Sequence, residues 1–289
     1  MGKKMNTVNS LSGGQTSAYI AAHYPADYNI FALVRTDDKK CLFPDKKIRN
    51  IVEDKIQKPF IGTLEENAII YTMLDLEQYI GKKIDWCSGR TFDEIIVRSN
   101  GKKYLPNVVQ RFCTTEMKLQ PIFDWWNNKI NKPIEMRIGF RANEQKRMIN
   151  MINKTNKNGL LEFKTITGKS KNGKRNKWSN IEWQKPIFPL INPPIYKDQI
   201  VKFWKDKPVR FAYLNNCVGC FHRNPILLKH LSNKHPNKFQ WFIDAEKDSA
   251  NNIRTFKNGM TYEDIKKSFK QTSLFDEDFS DCDSGYCGL

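Results

Sequence analysis

The chain has 289 residues and a formal net charge of +17, from 48 Lys and Arg against 31 Asp and Glu. It contains no apolar run of about 18 residues or more, which excludes a membrane-spanning helix, and its N-terminus lacks the apolar core of a signal peptide. We therefore expect a cytoplasmic protein without a membrane partner, and the positive charge favours polyanionic partners. Seven cysteines in such a chain are more typical of ligands, redox groups or buried side chains than of disulfides.

Apolar β-type runs alternate with helical patterns through the first half of the chain. The predicted strands are residues 7–11, 29–35 and 134–140, and the predicted helices are 16–23, 46–57, 64–76 and 119–128. This alternation predicts an α/β fold with a doubly wound parallel sheet. We divide the chain into an α/β domain (1–150), a basic linker or insertion (151–185), and a C-terminal module with a CxxC pair and an acidic tail (186–289).

A short Ser/Gly segment, residues 12–17, joins the first predicted strand to the first helix; we call it the anion loop. Glycines let backbone N–H groups converge, hydroxyls add donors, and the helix N-terminus adds partial positive charge. The segment therefore predicts a site for phosphate, pyrophosphate or sulfate, although its pattern is neither the Walker motif nor GxGxxG. An ordinary Ser/Gly-rich turn is the alternative.

The anion loop resembles the pyrophosphate loop, SGGxxS, of the PP-loop superfamily, which contains ATP pyrophosphatases and sulfonucleotide reductases. The resemblance implies a bound adenine nucleotide, ATP or PAPS, with Mg²⁺ left open as a further cofactor. The residues it assigns to the nucleotide are Ser10, Ser12, Gly13, Gly14, Thr16 and Ser17. Many ATP pyrophosphatases have Asp where this chain has Thr16, so a metal-related role at that position is not implied.

The segment that follows the second predicted strand contains Thr-Asp-Asp at 36–38 and Phe-Pro-Asp at 43–45. It loosely resembles the Asp-Thr-Gly…Phe-Pro-Glu stretch of sulfonucleotide reductases. That resemblance implies that Asp37 binds the nucleoside.

A second segment, residues 111–121, places Cys113 at a predicted helix N-terminus between Arg111 and Lys118. Such surroundings lower the pKa of a thiol, although a buried structural cysteine is the alternative. The segment resembles the Cys-Thr/Lys/Pro block of PAPS reductase-like proteins, which implies a catalytic role for Cys113 and a nucleotide-binding role for Lys118.

A third segment contains the pair Cys217 and Cys220, whose CxxC spacing suits one metal ion or cluster. No second pair lies nearby, so further ligands must come from elsewhere. The family resemblance brings Cys113 to this pair and implies a [4Fe-4S] cluster on three cysteines. The fourth ligand stays open among Cys41, Cys87, Cys282 and Cys287. A zinc site with His222 is the alternative.

Residues 139–147 resemble the Gly-Ile-Arg-x-x-Glu-x-x-Arg block of phage PAPS reductase-like proteins and DNA phosphorothioation enzymes. Arg141 could bind a phosphate or sulfate there, whereas Glu144 and Arg147 are spaced to pair with each other. The C-terminal Cys287-Gly288-Leu289 resembles part of the Glu-Cys-Gly-Leu-His tail of PAPS reductases, which implies a catalytic nucleophile at Cys287.

The segment 153–180 combines many cations with Trp178 and has Trp183 close by. Its basic residues are Lys154, Lys157, Lys164, Lys169, Lys171, Lys174, Arg175 and Lys177. Cations beside stacking aromatics suit nucleic acid, here tRNA or DNA, although a solvated loop is the alternative.

These segments together predict an enzyme of the PAPS reductase-like family that uses an adenine nucleotide in sulfur transfer. One chemistry is ATP-dependent thiolation of a nucleic acid, which needs a sulfur donor. The other is reduction of PAPS or APS to sulfite, which needs a thiol reductant. A protein that binds nucleotide or nucleic acid without catalysis is the third interpretation.

Overall fold

The computed structural model describes residues 4–98, 100–170, 172–249 and 254–268 of the chain. The predicted nucleophile Cys287, together with Cys282, Lys171 and the acidic tail, lies outside these described residues. No helix in the described ranges has the length and apolar character needed to cross a bilayer.

A six-stranded, mainly parallel sheet forms the centre of the fold, which confirms the α/β class. Its strands are β1 (Asn6–Leu11), β2 (Tyr28–Ala32), β3 (Ile84–Cys87), β4 (Ile134–Arg137), β5 (Leu161–Lys169) and β6 (Asn176–Ile187). They lie in the order β3-β2-β1-β4-β6-β5, and only the edge strand β5 is antiparallel to its neighbour.

Helices connect the strands and complete the C-terminal part. Those up to β5 are α1 (Gln15–His23), α2 (Lys46–Ile56), α3 (Ala68–Ile80), α4 (Phe92–Ile96), α5 (Phe112–Thr114), α6 (Gln120–Lys129) and α7 (Gln145–Ile152). After β6 come α8 (Lys197–Trp204), α9 (Pro225–Lys234), α10 (Pro236–Lys247) and α11 (Tyr262–Lys267). A π-helical turn, Thr115–Leu119, joins α5 to α6.

Apolar side chains cover both faces of the sheet because successive residues of a strand point to opposite sides. Ile30 packs in a core with Trp126 of α6, whereas the next residue, Phe31, packs in a core with Ile20 of α1 and Met73 of α3. The sheet is therefore a middle layer between helices, which is compatible with the predicted doubly wound arrangement.

The strand order reverses direction beside β1. From β1 the chain winds outward through β2 and β3, and it then returns to place β4 on the other side of β1. In open α/β sheets, ligands bind in the crevice at the carboxyl ends of the strands where this reversal occurs. The segments that follow β1 and β4 flank that crevice, and they are the anion loop and residues 139–147.

The predicted linker range, 151–185, contains ordered structure that its composition did not indicate. β5 and most of β6 form an antiparallel hairpin, and Gln184–Ile187 of β6 continue the sheet beside β4. Trp183 is only 2% exposed and packs on Phe123 and Trp126 of α6. The root of the hairpin thus belongs to the main core, and Trp183 is not available for stacking on nucleic acid.

The C-terminal part packs on the rest of the chain at two places. Leu190, Ile200 and Trp204 join the core that covers α1 and α3. Farther along, α9, α10 and α11 share a third core with Val34 and Phe92, which follow β2 and β3. This third core therefore lies at the carboxyl edge of the sheet, where the candidate site is found.

Candidate functional site

The anion loop has a backbone that only glycine accommodates at one point. Gly13 has φ of +81°, and a Cβ atom there would lie 2.5 Å from Ile69 Cγ2 of α3. Gly14 is the N-cap of α1, with φ of −98° and ψ of 159°, an extended conformation that other residues also adopt. The loop therefore turns sharply at Gly13 just before α1, whose first N–H groups have no partner within the helix.

Hydroxyl groups of the loop shape the loop itself. Ser17 Oγ accepts a hydrogen bond from Ser12 N–H and donates one to Gly14 O, both at 3.1 Å. The Ser12 and Ser17 hydroxyls also lie 3.1 Å apart. These hydroxyls were predicted to add donors for an anion, but the Ser17 hydroxyl already donates inside the loop. Backbone N–H groups are thus the main anion donors that this geometry offers.

The remaining predicted residues of the loop are buried. Thr16 is 1% exposed, and its Cγ2 would lie 3.3 Å from a Cβ atom at Gly139, so the segment after β4 packs directly against the loop. Ser10, at the end of β1, is 8% exposed. The absence of a side chain at Gly139 allows this close approach between the two segments that flank the crevice.

Arg141 lies just beyond β4 and is buried. Its Nε donates to Glu144 Oε2 at 3.0 Å, and the same carboxylate oxygen accepts the Arg141 N–H at 2.9 Å. Glu144 also pairs with Arg147, as its spacing predicted. The carboxylate of Glu144 therefore holds the guanidinium of Arg141 beside the crevice.

Asp37 follows β2 on the same edge of the sheet and is exposed. Its Oδ2 accepts a hydrogen bond of 2.8 Å from Thr91 Oγ1, and its N–H donates to Asp93 Oδ2 at 2.8 Å. These bonds tie the segment after β2 to the start of α4. Asp37 thus lies at the edge that the predicted nucleoside role requires, and its carboxylate is positioned by Thr91.

The predicted metal ligands lie around one cavity. Cys113, Cys217 and Cys220 all line it, although more than 100 residues separate the first from the others. The cavity has a volume of about 50 Å³ and is partly open to solvent. Cys41 and Cys87 are not among its lining residues. Within the described ranges, no set of three or more His, Cys, Asp or Glu side chains is arranged to hold a metal ion directly.

Burial controls the protonation of these thiols. Burial, with a smaller contribution from Cys220 nearby, raises the pKa of Cys113 to about 11 against the opposing effects of Thr114 and Arg111. Burial likewise raises the pKa of Cys217 well above its usual value. The prediction that a helix N-terminus and flanking cations would lower the pKa of Cys113 was therefore wrong. Desolvation of the thiolate outweighs both effects.

Two further side chains of the cavity complement the thiols. Arg111 lines it, and its Nε is buried without a hydrogen-bond partner among the described residues. His222 also lines it, and burial together with Arg111 lowers its pKa to about 4. The imidazole is thus neutral at pH 7, the form that can bind a metal, while Arg111 supplies a positive charge for an anionic group.

A buried ion pair that sequence reasoning missed supports the cavity. Lys118 Nζ lies 3.0 Å from Glu65 Oε1 and 3.3 Å from Asn216 Oδ1, and Glu65 is 1% exposed. Burial alone would lower the pKa of Lys118, but Glu65 and Cys217 raise it above its usual value. Lys118 was predicted to bind nucleotide; in this structure its ammonium group is held by Glu65.

Lys238 of α10 reaches the same region. Its Nζ donates to Glu65 O and, at 2.7 Å, to Asn67 Oδ1, and burial lowers its pKa to about 8. The sequence contained no signal for Glu65 or Lys238, since neither belongs to a motif with recognisable spacing. Their importance follows only from the way in which α10 folds back over the chain.

One short segment connects the anion loop with the cysteine cavity. Ile69, at the start of α3, packs against Gly13, and Glu65, four residues earlier, forms a β-bridge with Cys217. In addition, Val218 N–H donates to Leu64 O at 2.8 Å. Residues 64–69 thus contact both features, which places the cavity on the same side of the molecule as the loop.

Comparisons with known proteins identify no relative of this chain. No family model matches the chain, and neither a characterised protein nor a solved structure is significantly similar to it.

Proposed function

We propose that the protein is an enzyme of the PP-loop type that binds an adenine nucleotide on the anion loop and transfers sulfur at the cysteine cavity. The observation that carries the proposal is the pairing of these two features. A glycine-dependent strand-to-helix loop lies at the reversal of strand order, and residues 64–69 contact both it and the cavity lined by Cys113, Cys217 and Cys220.

The anion loop would hold the phosphates of ATP or PAPS through backbone N–H groups at the start of α1. Arg141, oriented by Glu144, stands beside this position and would contact a second anionic group. Asp37, positioned by Thr91, would accept hydrogen bonds from the nucleoside. The residues given these roles lie along the carboxyl edge of the sheet, after the neighbouring strands β4, β1 and β2.

The cavity would hold an anionic, thiolate-ligated group such as a [4Fe-4S] cluster, whose binding would deprotonate the three thiols and draw them together. Cys113, Cys217 and Cys220 would hold it, and Arg111, whose buried Nε lacks a partner among the described residues, would balance its negative charge. When bound, such a cluster would supply an iron atom with an open coordination position for sulfur. The neutral His222 would serve instead as the fourth ligand of a zinc ion, the alternative for this site.

Turnover by anaerobically prepared protein tests the proposal. ATP and PAPS are supplied separately, and pyrophosphate and sulfite are both measured. Pyrophosphate from ATP supports thiolation chemistry, whereas sulfite from PAPS supports the reductase function. A protein that binds either nucleotide but releases neither product is the non-catalytic binding protein of the third interpretation.

The variant Cys287→Ala separates the two chemistries. In a reductase that resembles PAPS reductases, it removes the nucleophile and stops sulfite formation while the metal stays bound. In a thiolating enzyme that acts through an open-site cluster, activity is retained. The matched control is Cys87→Ala, since Cys87 is half-buried at the end of β3 and does not line the cavity.

A further inference from the structure

The β5–β6 hairpin projects well beyond the sheet. Of the residues of β6, only Gln184–Ile187 pair with β4. The preceding eight residues, from Asn176 to Trp183, extend past the end of β4 with β5 as their only partner strand. At about 3.4 Å per residue this two-stranded extension is roughly 25 Å long. We call residues 164–170 and 172–180 the basic ribbon.

Its charge is entirely of one sign. Six Lys and Arg residues occur from Lys164 to Lys177, both included, and no Asp or Glu occurs from residue 163 to residue 181. In the described part of the chain, no salt bridge involves the ribbon cations Lys164, Lys169, Lys174, Arg175 or Lys177. Concentrated positive charge without acidic partners is complementary to a polyanion.

One face of the ribbon also presents an aromatic ring. Trp178 pairs across the strands with Ile166, and the two side chains are 55% and 46% exposed. Lys164 Nζ lies 6.0 Å from the centre of the Trp178 ring. Trp183, by contrast, is 2% exposed and packs in the core. Core packing therefore accounts for the presence of Trp183 but not for that of Trp178.

We propose that the basic ribbon binds single-stranded nucleic acid, with a base stacked on Trp178 and the phosphates held by the ribbon cations. An exposed indole ring among lysines is the arrangement that single strands recognise, because an unpaired base has a free face to stack. The bases of a duplex are already stacked on one another, so a duplex would use the cations alone.

The position of the ribbon gives it a role distinct from the proposed chemistry. Since β6 runs parallel to β4, the residues before Gln184 leave the sheet at its amino edge, whereas the anion loop and the cysteine cavity lie at its carboxyl edge. The ribbon therefore anchors a nucleic acid away from the proposed active site. This inference goes beyond the proposed function, and its test needs no nucleotide turnover.

Fluorescence polarisation with labelled oligonucleotides of about 15 nucleotides tests the inference, with single-stranded DNA, single-stranded RNA and duplex DNA as separate arms. We expect the wild type to bind single strands more tightly than the duplex. Six phosphate contacts give a slope of about −4 in a plot of log affinity against log salt concentration. The DNA and RNA arms decide which of the two single strands is preferred.

Two sets of variants distinguish stacking from charge. Trp178→Ala should weaken single-strand binding by about 5-fold to 100-fold, and Trp178→Phe should retain most of the affinity. Replacing Lys169, Lys174, Arg175 and Lys177 by Ser should flatten the salt slope to between about −1 and −2. The matched control replaces Lys132, Lys197, Lys202 and Lys205 by Ser, which removes the same charge from exposed positions outside the ribbon.

Several results would overturn the inference. They are no binding of single strands at about 50 mM salt, equal binding of duplex that is unaffected by Trp178→Ala, or the same loss of affinity in the control quadruple variant. Calorimetric titration of ATP into the same proteins is the separate readout. If nucleotide binding is absent but single strands bind through Trp178, the proposed function fails and this inference stands.

Discussion

The anion loop and the cysteine cavity differ in how far apart in the sequence their residues lie. The loop is built from six consecutive residues, and its side-chain hydrogen bonds link Ser12, Gly14 and Ser17 to one another. The cavity joins Cys113 to Cys217 and Cys220 and depends on a buried ion pair between Lys118 and Glu65. A substitution in a site built from neighbouring residues should abolish ligand binding and leave the protein folded. In a site built from distant residues, each substitution should abolish binding to a similar degree.

The largest effect is expected for the cysteines, whose shared cavity predicts a shared metal. Cys113→Ala, Cys217→Ala and Cys220→Ala should each remove nearly all bound iron, because loss of one ligand opens a cluster to water and oxygen. Iron and sulfide analysis of anaerobically purified proteins measures this loss. The control variants Cys41→Ala and Cys87→Ala should keep the metal. Wild-type protein that contains neither iron nor zinc would show that the metal-site hypothesis is wrong.

Next in size is the ion pair that holds the cavity together. Glu65→Ala leaves the ammonium group of Lys118 buried without its carboxylate partner, which should lower the free energy of unfolding by about 3–5 kcal/mol. Urea unfolding followed by circular dichroism gives the value. Lys103→Ala removes a more exposed pair with Asp248 and should cost about 1 kcal/mol or less. Equal losses in the two variants would contradict the importance given to the buried pair.

The two glycines of the anion loop sharpen the contrast within the local site. Gly13→Ala introduces a side chain at positive φ and within 2.5 Å of Ile69, so we expect a loss of about 1–3 kcal/mol in the free energy of unfolding. Gly14→Val keeps an allowed backbone and should cost about 1 kcal/mol or less, yet abolish nucleotide binding by blocking the approach of phosphate. Thermal unfolding and calorimetric titration with ATP or PAPS measure the two effects. A folded Gly14→Val protein with unchanged affinity would refute the role assigned to the loop.

The last expected effect is a dependence of stability on pH in the layer behind the cavity. Glu246 of α10 accepts hydrogen bonds from the backbone N–H groups of Phe256 and Tyr262, and Tyr262 Oη donates to Gly219 O in the CxxC segment. Burial raises the pKa of Glu246 from 4.5 to about 7. Because the folded state holds this proton more tightly than the unfolded state, the contribution to stability is complete below pH 4.5 and is lost as the pH rises through about 7.

The variant Glu246→Gln isolates this effect, since glutamine resembles the protonated carboxyl but does not titrate. Between pH 5 and pH 8, the free energy of unfolding of the wild type should fall by about 1–3 kcal/mol more than that of the variant. Urea unfolding at a series of pH values provides the comparison. Parallel pH profiles for the two proteins would contradict the role given to Glu246.

Local patterns predicted three strands and four helices in the first half of the fold, with errors of a few residues at their ends. The helix predicted at 64–76 begins instead at Ala68, because Thr63 Oγ1 accepts the Glu65 N–H and Glu65 forms a β-bridge with Cys217. β3 was missed, since its four residues include the polar Asp85 and show no alternation long enough to detect. The hairpin of β5 and β6 was missed because its outer part is exposed and carries only a few apolar side chains, such as Ile166 and Trp178, so no apolar period marks it.

The sequence by itself determined the features that depend on neighbouring residues. These are the turn at Gly13, the strand and helix on either side of it, the pairing of Glu144 with Arg147, and the closeness of Cys217 to Cys220, whose N–H donates to Cys217 O. In each case the interacting groups are within a few residues, so spacing alone fixes what can touch.

Only the tertiary structure decided the properties that depend on burial and on distant partners. It raised the pKa of Cys113, because desolvation by residues far along the chain outweighs the charges beside it. It joined Lys118 to Glu65, buried Trp183 while leaving Trp178 exposed, and placed the basic ribbon at the edge of the sheet opposite the anion loop. A linear pattern specifies which groups a chain carries, but solvent exposure and long-range contact arise only when the chain packs.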